Sequence, residues 1–336
     1  MSDAAPPEGG GAGLRVSVVV PTWRRPALLE RCLRALCRQD LDPRRYEVVV
    51  ADDGPDADTL AAVRRVLHDC GGRRILRYIP VPDTQGPAAA RNVGWRAARG
   101  EIIAFTDDDT IPEPSWLRQG LAAIGPDQVA AAGRVRVPLR ARPTDYERDA
   151  AGLERAEFVT ANCFVRREAL RELGGFDERF TAAWREDSDL QFRLIERYGE
   201  HCIARTALAT VEHPVRPAGF AVSLRQVRKS MFDALLYKKH PRLYRSRIAP
   251  PIWRYYAIVA ALLAVVTLEL AGLRTAAAAA LLVWLVLTLR FCLLRLRGNE
   301  RSARHVAEML LTSVLLPPLS LYWRSLGALR WRVVFL

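Results

Sequence analysis

The stretch EIIAFTDDDTIP, residues 101–112, sets the problem posed by this chain. Ile102, Ile103, Ala104 and Phe105 form a short apolar run of the kind that makes a buried strand. Three aspartates follow at once. Like charges this close repel one another, so an uncompensated cluster at a strand end costs stability. Asp52 and Asp53, in YEVVVADDG (46–54), end another apolar run in the same way. LRVSVVV (14–20), stopping at Pro21-Thr22, and RILRYIP (74–80) are strand-like as well. Helical patterns lie between them. Pro26 opens one with Leu28, Leu29, Cys32, Leu33, Leu36 and Cys37 at helical spacing, a polar one covers 57–68, and a third runs from Pro87 to Arg99. The β-α-β-α order predicts an α/β fold with a mostly parallel sheet flanked by helices. Ligands of such sheets bind beyond the carboxyl ends of the strands, where both acidic clusters fall.

Composition narrows the class of partner. The 336 residues carry 50 Lys+Arg against 37 Asp+Glu, a net charge of +13 that calls for a polyanionic partner. Most acids lie before residue 213. Beyond it Arg225, Arg228, Lys229, Lys238, Lys239, Arg242, Arg245, Arg247 and Arg254 face only Asp233 before the apolar region begins. A basic belt directly before apolar segments is the flank of a membrane protein, and no nucleic-acid partner is expected. The six cysteines (32, 37, 70, 163, 202, 292) form no CxxC pair and read as small apolar residues in a reducing compartment. The segment MSDAAPPEGGGAG (1–13) has no apolar core and reads as a disordered tail rather than a signal peptide.

The C-terminal third changes character. YAIVAALLAVVTLELAGL (256–273) and AAAAALLVWLVLTLRFCLL (276–294) each approach the roughly 20 residues that span a bilayer. Joined by a short link, they predict a transmembrane hairpin over 255–295, with Glu269 and Arg290 near the ends, where snorkelling is feasible. Arg247 and Arg254 before it, and Arg295, Arg297, Arg301 and Arg304 after it, put both flanks on the cytoplasmic side. A third apolar stretch, 306–323, holds Pro317-Pro318 and either spans, re-enters or lies in the interface. A buried helical pair in a soluble protein is the alternative. Upstream, Phe220, Val222, Leu224, Val227, Met231 and Leu235 predict a basic amphipathic segment over 216–254 lying on anionic phospholipids.

Carboxylates spaced Asp-x-Asp after a strand supply hard oxygen ligands to Mg2+ or Mn2+, which in turn binds phosphate. Alone, the triplet is equally a solvated loop or a cap. The companion stretches decide. SVVVPTWRRPALLERCLRALCRQD, YEVVVADDG, GPAAARNVGWRAARGEIIAFTDDDTIPEPSWL, NCFVRREALRELGGFDERF and WREDSDLQFRLIERYG together resemble the family-2 glycosyltransferases of the GT-A fold, over residues 14–215.

The resemblance implies a GT-A, Rossmann-like catalytic domain over 14–215 and roles for single positions. Pro21 and Thr22 end the first strand where the family seats a nucleotide base. Asp52 and Asp53 match the acids that accept from base and ribose. Arg91 and Asn92 stand beside the same pocket. Asp107, Asp108 and Asp109 match the DxD element, with Asp107 and Asp109 as candidate metal ligands, Asp107 the nearer of the two to the ribose, the division left open by the consecutive Asp108, and His213 completing the metal shell. Asp187, after Glu186, matches the general base at a helix start, with Asp189 crowding it as a further acid. Gly174 and Gly175 resemble the loop beneath the donor sugar. Trp184 stacks on a sugar or walls the pocket.

Processive members carry Gln-x-x-Arg-Trp after the base. Here Gln226-Val227-Arg228-Lys229-Ser230 lacks the Arg-Trp pair, which implies transfer of one sugar. Arg225, Arg228 and Lys229 are candidates to reach the donor diphosphate. The reading is an inverting transferase using a nucleotide-sugar, a UDP-sugar by preference, and Mn2+ or Mg2+. Its acceptor is a lipid-linked or saccharide molecule at the cytoplasmic membrane, in glycan biosynthesis of the cell envelope. The alternatives are a polyprenyl-phosphate sugar synthase and a catalytically silent GT-A scaffold. Residues 296–336 form a basic loop, the third apolar segment and a tail.

Overall fold

Strand β1 (Val16–Thr22) is buried at every position, as is β2 (Tyr46–Asp53), which suits strands covered on both faces. The computed structural model describes residues 14–71, 75–82, 86–248 and 252–335, and the expected tail at 1–13 lies outside them. The remaining strands are β3 (Leu76–Val81), β4 (Ile102–Phe105), β5 (Ile111–Pro112), β6 (Ala130–Arg136), β7 (Cys163–Arg166) and β8 (Ile203–Glu212). Among the described residues they form one sheet in the order β3-β2-β1-β4-β7-β6-β8-β5. The sheet is mixed. β3, β2, β1 and β4 run parallel, as do β6 and β8, whereas β7 is antiparallel to both β4 and β6, and β5 to β8. The parallel part is therefore the half that carries the acidic strand ends.

The helices are α1 (Pro26–Leu36), α2 (Ala57–Asp69), α3 (Pro87–Ala97), α4 (Trp116–Ala123), α5 (Asp145–Ala150), α6 (Arg167–Leu173), α7 (Glu186–Tyr198), α8 (Val222–Gln226), α9 (Met231–Lys239), α10 (Pro241–Arg247), α11 (Trp253–Leu270), α12 (Arg274–Leu296) and α13 (Ala303–Trp331). The chain forms two compact units. One comprises residues 1–136, 157–181 and 193–213. The other comprises 137–156, 182–192 and 214–336.

In the first unit α3 packs on β1 and β2, where Gly94 lies so close to Val19 that a Cβ would collide with it. Asp52 and Asp53 pair in register with Pro80 and Val81, and Thr22 with Asp52, so these residues share one edge of the parallel half. At the opposite end Glu47 is buried. It accepts from Ser17 Oγ (2.7 Å), from the Arg99 backbone (2.8 Å) and side chain (2.8 Å), and from Arg77 (3.0 Å). All six cysteines are free thiols.

In the second unit α11, α12 and α13 are long and apolar enough to cross a membrane. At about 1.5 Å per residue, the 23 residues of α12 extend roughly 34 Å, enough for the ~30 Å hydrocarbon layer. Helix α13 is continuous through Pro317 and Pro318, so the third apolar stretch is a straight-through helix and not a re-entrant turn. The amphipathic segment expected over 216–254 differs in two respects. It is broken by a 3-10 turn at Val227–Ser230, and Met231 and Leu235 are buried instead of facing lipid. The cause is α13: Gly327 presses on the Met231 backbone, with no room for a Cβ.

Burial pushes the Glu47 carboxyl up, but Arg99, Ser17 and Arg77 together hold it below the usual glutamate value. A depressed folded-state value means a contribution present above the unfolded-state pKa and lost as pH falls through the folded one. Glu47→Gln is expected to lower the unfolding free energy by about 2–3 kcal/mol at neutral pH. Urea denaturation in detergent, followed by tryptophan fluorescence, should show that gap closing below about pH 4.

Candidate active site

Asp52 is fully buried at the end of β2. Its Oδ2 accepts from the Tyr78 hydroxyl at 2.7 Å, while its Oδ1 has no hydrogen-bond partner among the described residues. Burial pushes its pKa up and that of Tyr78 as well. That oxygen is shut off from solvent, and leaving a buried carboxylate oxygen without a partner is costly. Asp53 accepts the Gly86 backbone N–H at 3.0 Å, and Gly86 holds a left-handed φ of +96°.

The aspartates after β4 are dealt three different environments. Asp107 receives the guanidinium of Arg91, itself only 2% exposed, at 2.7 Å. Burial pushes the Asp107 carboxyl up, but Arg91, His213 and Arg25 together hold the group below the ordinary aspartate value. Arg91 is fixed in turn over the Phe176 ring, 5.8 Å from its centroid. Asp108 accepts from Thr22 Oγ1 at 2.8 Å and from Arg25 at 3.2 Å, and burial pushes it up to about 6 against the pull of Arg25. Asp109 lies 3.4 Å from His213 Nε2, and the His213 backbone N–H donates to Arg136. One ligand atom from each of Asp107, Asp109 and His213 lies within 4.8 Å of the other two. The two carboxylates are hard oxygen donors of the kind that Mn2+ or Mg2+ accepts, and the imidazole adds a borderline nitrogen donor.

The turn between these aspartates is pinned from within. The Thr110 hydroxyl lies 2.8 Å from the Asp107 carbonyl and 2.7 Å from Thr106 Oγ1, and the buried Cys32 thiol donates to the same carbonyl. Asp108 thus belongs to the protein's own network, with one bond on each of its two oxygens. Asn92 is likewise engaged within the protein. Its amide donates to Phe176 O (2.9 Å) and Glu178 (2.7 Å), and its carbonyl accepts from Trp95 Nε1 and Phe176 N–H (2.8 Å each). Both ends are consumed in holding the 174–176 loop. Gly174 ends α6 in the left-handed region at φ +76°, and Gly175 leaves no space for a Cβ against Asn92 and Trp95. Pro21 and Thr22 close β1 on the same edge as Asp52.

The second unit holds Trp184, Glu186 and Asp187. Glu186 and Asp187 open α7, with Glu186 buried and Asp187 half-buried. The Ser188 N–H donates to Asp187 Oδ1 at 2.6 Å. Arg185, just before, adopts φ +76°, a strained conformation for a residue with a side chain. One buried carboxylate holds it there. Asp233 of α9 accepts from Arg185 Nε (2.6 Å), from Trp184 Nε1 (3.2 Å) and from Arg324 of α13 (3.3 Å). Arg185 also stacks on Trp184, 4.6 Å from the ring centre. Two residues beyond Asp187, the fully buried Asp189 pairs with Lys239 and, at 3.1 Å, with His240. Asp189 is therefore a paired carboxylate and not a bare like charge pressing on Asp187. Arg228 lies over the Trp323 ring at 5.5 Å.

Arg25, Tyr78, Asp233, Lys239 and His240 escaped the sequence reading. Asp233 and Lys239 left a trace only as members of the basic belt, and Tyr78 only as part of a strand.

The chain matches the profile of Glycosyl transferase family 2 over residues 17–174 and that of Glycosyl transferase family group 2 over residues 102–323. The glycosyltransferase AglE of Haloferax volcanii is 25% identical over 240 residues, 67% of this chain and 77% of AglE. The GalNAc(5)-diNAcBac-PP-undecaprenol beta-1,3-glucosyltransferase of Campylobacter jejuni is 35% identical over 95 residues, 28% of this chain and 29% of that enzyme. Several other curated relatives are also much longer than the region matched, with 23% and 28% of their length covered in two cases. The fold is shared with a mannosyltransferase of Pyrobaculum calidifontis solved with GDP-Man and Mn2+. The TM-score is 0.55 at 20% identity, over 95% of this chain and 87% of that one.

Metal titration separates the three aspartates. Calorimetry with Mn2+ is expected to show His213→Ala and Asp109→Asn each weakening binding about 10–100-fold. Asp108→Asn should leave it within about threefold, because that carboxylate serves Thr22 and Arg25.

Proposed function

The chain belongs to the family-2 glycosyltransferases, and from that premise we propose a membrane-anchored, inverting enzyme that transfers one sugar. The donor is a nucleotide-sugar, a UDP-sugar by preference, and the acceptor is a saccharide or lipid-linked molecule at the cytoplasmic membrane. The observation that carries this reading is the Asp107–Asp109–His213 group at the carboxyl end of β4, with Arg91 on Asp107. The Mn2+ of the Pyrobaculum mannosyltransferase and the undecaprenol-linked acceptor in the name of the Campylobacter relative support it by analogy.

Asp107, Asp109 and His213 would hold the divalent cation, Mn2+ or Mg2+, which when bound supplies positive charge to the departing diphosphate. Asp52 and Asp53, at the carboxyl end of β2, serve the base and ribose end of the donor. Pro21 and Thr22 flank the base. Arg91 keeps Asp107 ionised. Gly174 and Gly175 let the backbone pass beneath the sugar, and Trp184 offers its exposed ring to a sugar face. Asp187 takes the proton of the acceptor hydroxyl as that oxygen bonds to C1. The bond from C1 to the donor phosphate breaks, the nucleoside diphosphate leaves with the electron pair, and the configuration at C1 inverts. Glu186 accompanies Asp187 in the first turn of α7. The basic flanks of α11 and α12 favour a cytoplasmic catalytic domain in contact with anionic phospholipids.

A second reading makes the acceptor a lipid phosphate. Such an oxygen is already ionised and needs no base, so the same variant separates the two.

Nucleotide release from a panel of nucleotide-sugars is the test. Activity should need Mn2+ or Mg2+ and vanish with EDTA. Asp187→Asn should lower turnover by about 10²–10⁴-fold without changing nucleotide affinity. A tolerated Asp187→Asn favours the lipid-phosphate acceptor, and activity surviving both EDTA and the substitution overturns the mechanism. Asp233→Asn, which loosens Trp184 and Arg185, is expected to cost about 10–100-fold in turnover with nucleotide affinity unchanged.

A further inference from the structure

Helix α12 carries two kinds of arginine. Arg295 points into the protein, where it pairs with Asp145 at 2.6 Å and donates to Thr312 at 2.6 Å. The buried Ala277, Thr288 and Cys292 lie on the same side, since residues advance about 100° each around a helix. Val286, Leu289, Arg290, Leu293 and Arg297 recur at three- and four-residue spacing on the opposite side. With Arg301 beyond the helix end, they line a groove of about 720 Å³. Among the described residues the side chains of Arg290, Arg297 and Arg301 make no ion pair or hydrogen bond. Arg290 sits roughly 9 Å along the axis from the last helical residue, Leu296. A guanidinium at that depth in a membrane helix is costly unless an anion reaches it.

We propose that this groove is a binding site for a lipid phosphate. The phosphate or diphosphate headgroup rests on Arg290, Arg297 and Arg301, and the alkyl chains run along Val286, Leu289 and Leu293. Charge complementarity selects the occupant. Three guanidinia without acidic partners converge at one end of an apolar stripe, which is the shape and charge of an anionic amphiphile. The planar fork of arginine matches phosphate oxygens bidentately. Three such groups suit a headgroup with two or more negative charges over a zwitterionic one, in which the choline cation would meet the same arginines. Simple snorkelling also brings arginine to the interface, but it predicts no preference among headgroups of equal area. The site rests on the reading of α11–α13 as membrane helices and not on sugar transfer, though a lipid acceptor would be held by the same chemistry.

Native mass spectrometry of the full chain in mild detergent tests it, with phosphatidic acid and phosphatidylcholine as probes. Wild type should retain phosphatidic acid over phosphatidylcholine, and inorganic phosphate should not displace it, because the apolar wall contributes. Arg290→Gln/Arg297→Gln/Arg301→Gln should lower retention about tenfold or more, and Arg274→Gln, at the far end of α12, should not. Unchanged nucleotide affinity certifies the fold of the variants, and Arg290→Gln alone should reproduce the loss in part. Equal retention by wild type and the triple variant, equal binding of phosphatidylcholine, or displacement by inorganic phosphate would each overturn the proposal. Lipid retention in a protein that transfers no sugar would sink the transferase reading alone. Transfer without lipid selectivity would sink this one alone.

Discussion

Three adjacent carboxylates at one strand end must be kept apart electrostatically, and the first unit is organised around doing so. Arg91 takes Asp107, Thr22 and Arg25 take Asp108, and Asp109 turns to His213. Each assignment reaches back to a different element: α3, the end of β1 with the residue before α1, and the residue after β8. The turn is pinned by Thr106, Thr110 and Cys32, so the division does not rest on charge alone. Two carboxylates are left close enough to share a cation, and the third is withdrawn. The DDD sequence thereby presents Asp107 and Asp109 together, with Asp108 turned to other partners.

The second unit meets the opposite difficulty, too many cations near apolar helices. It solves this by pairing selected arginines with acids, one half-buried and one buried. Asp145 takes Arg295, and Asp233 takes both Arg324 and Arg185. A buried charge stripped of its partner is strongly destabilising, so these acids fix which faces of α12 and α13 turn inward. Asp233 does more than neutralise. It connects α13 to the strained Arg185 one residue ahead of α7, while Lys239 and His240, at the other end of α9, hold Asp189. The turn bearing Glu186 and Asp187 is thus gripped on both sides by one short helix that itself rests on a membrane-type helix.

Much of this was legible in the residues. The apolar runs ending in VVVADDG and IIAFTDDDT predicted parallel strands with acidic carboxyl ends, because a strand buried on both faces has a continuous apolar signature. The hairpin of α11 and α12 was legible for a similar reason: length and apolarity suffice when the environment is lipid. Other features were hidden. Asn92 looked like a ligand beside Arg91, but its amide is spent on Phe176, Glu178 and Trp95, partners from 3 to 86 residues away. Met231 and Leu235 looked lipid-facing, yet they are covered by a helix nearly a hundred residues downstream.

The sequence by itself determined the α/β alternation, the strand-end placement of the aspartates, the family resemblance and the apolar helices, since all of these are properties of neighbours along the chain. Only the tertiary structure decided which aspartate leaves the triplet, what His213 stands beside, and why Asp233 is kept among cations. Those outcomes depend on charges meeting across the fold, where spacing along the chain carries no signal.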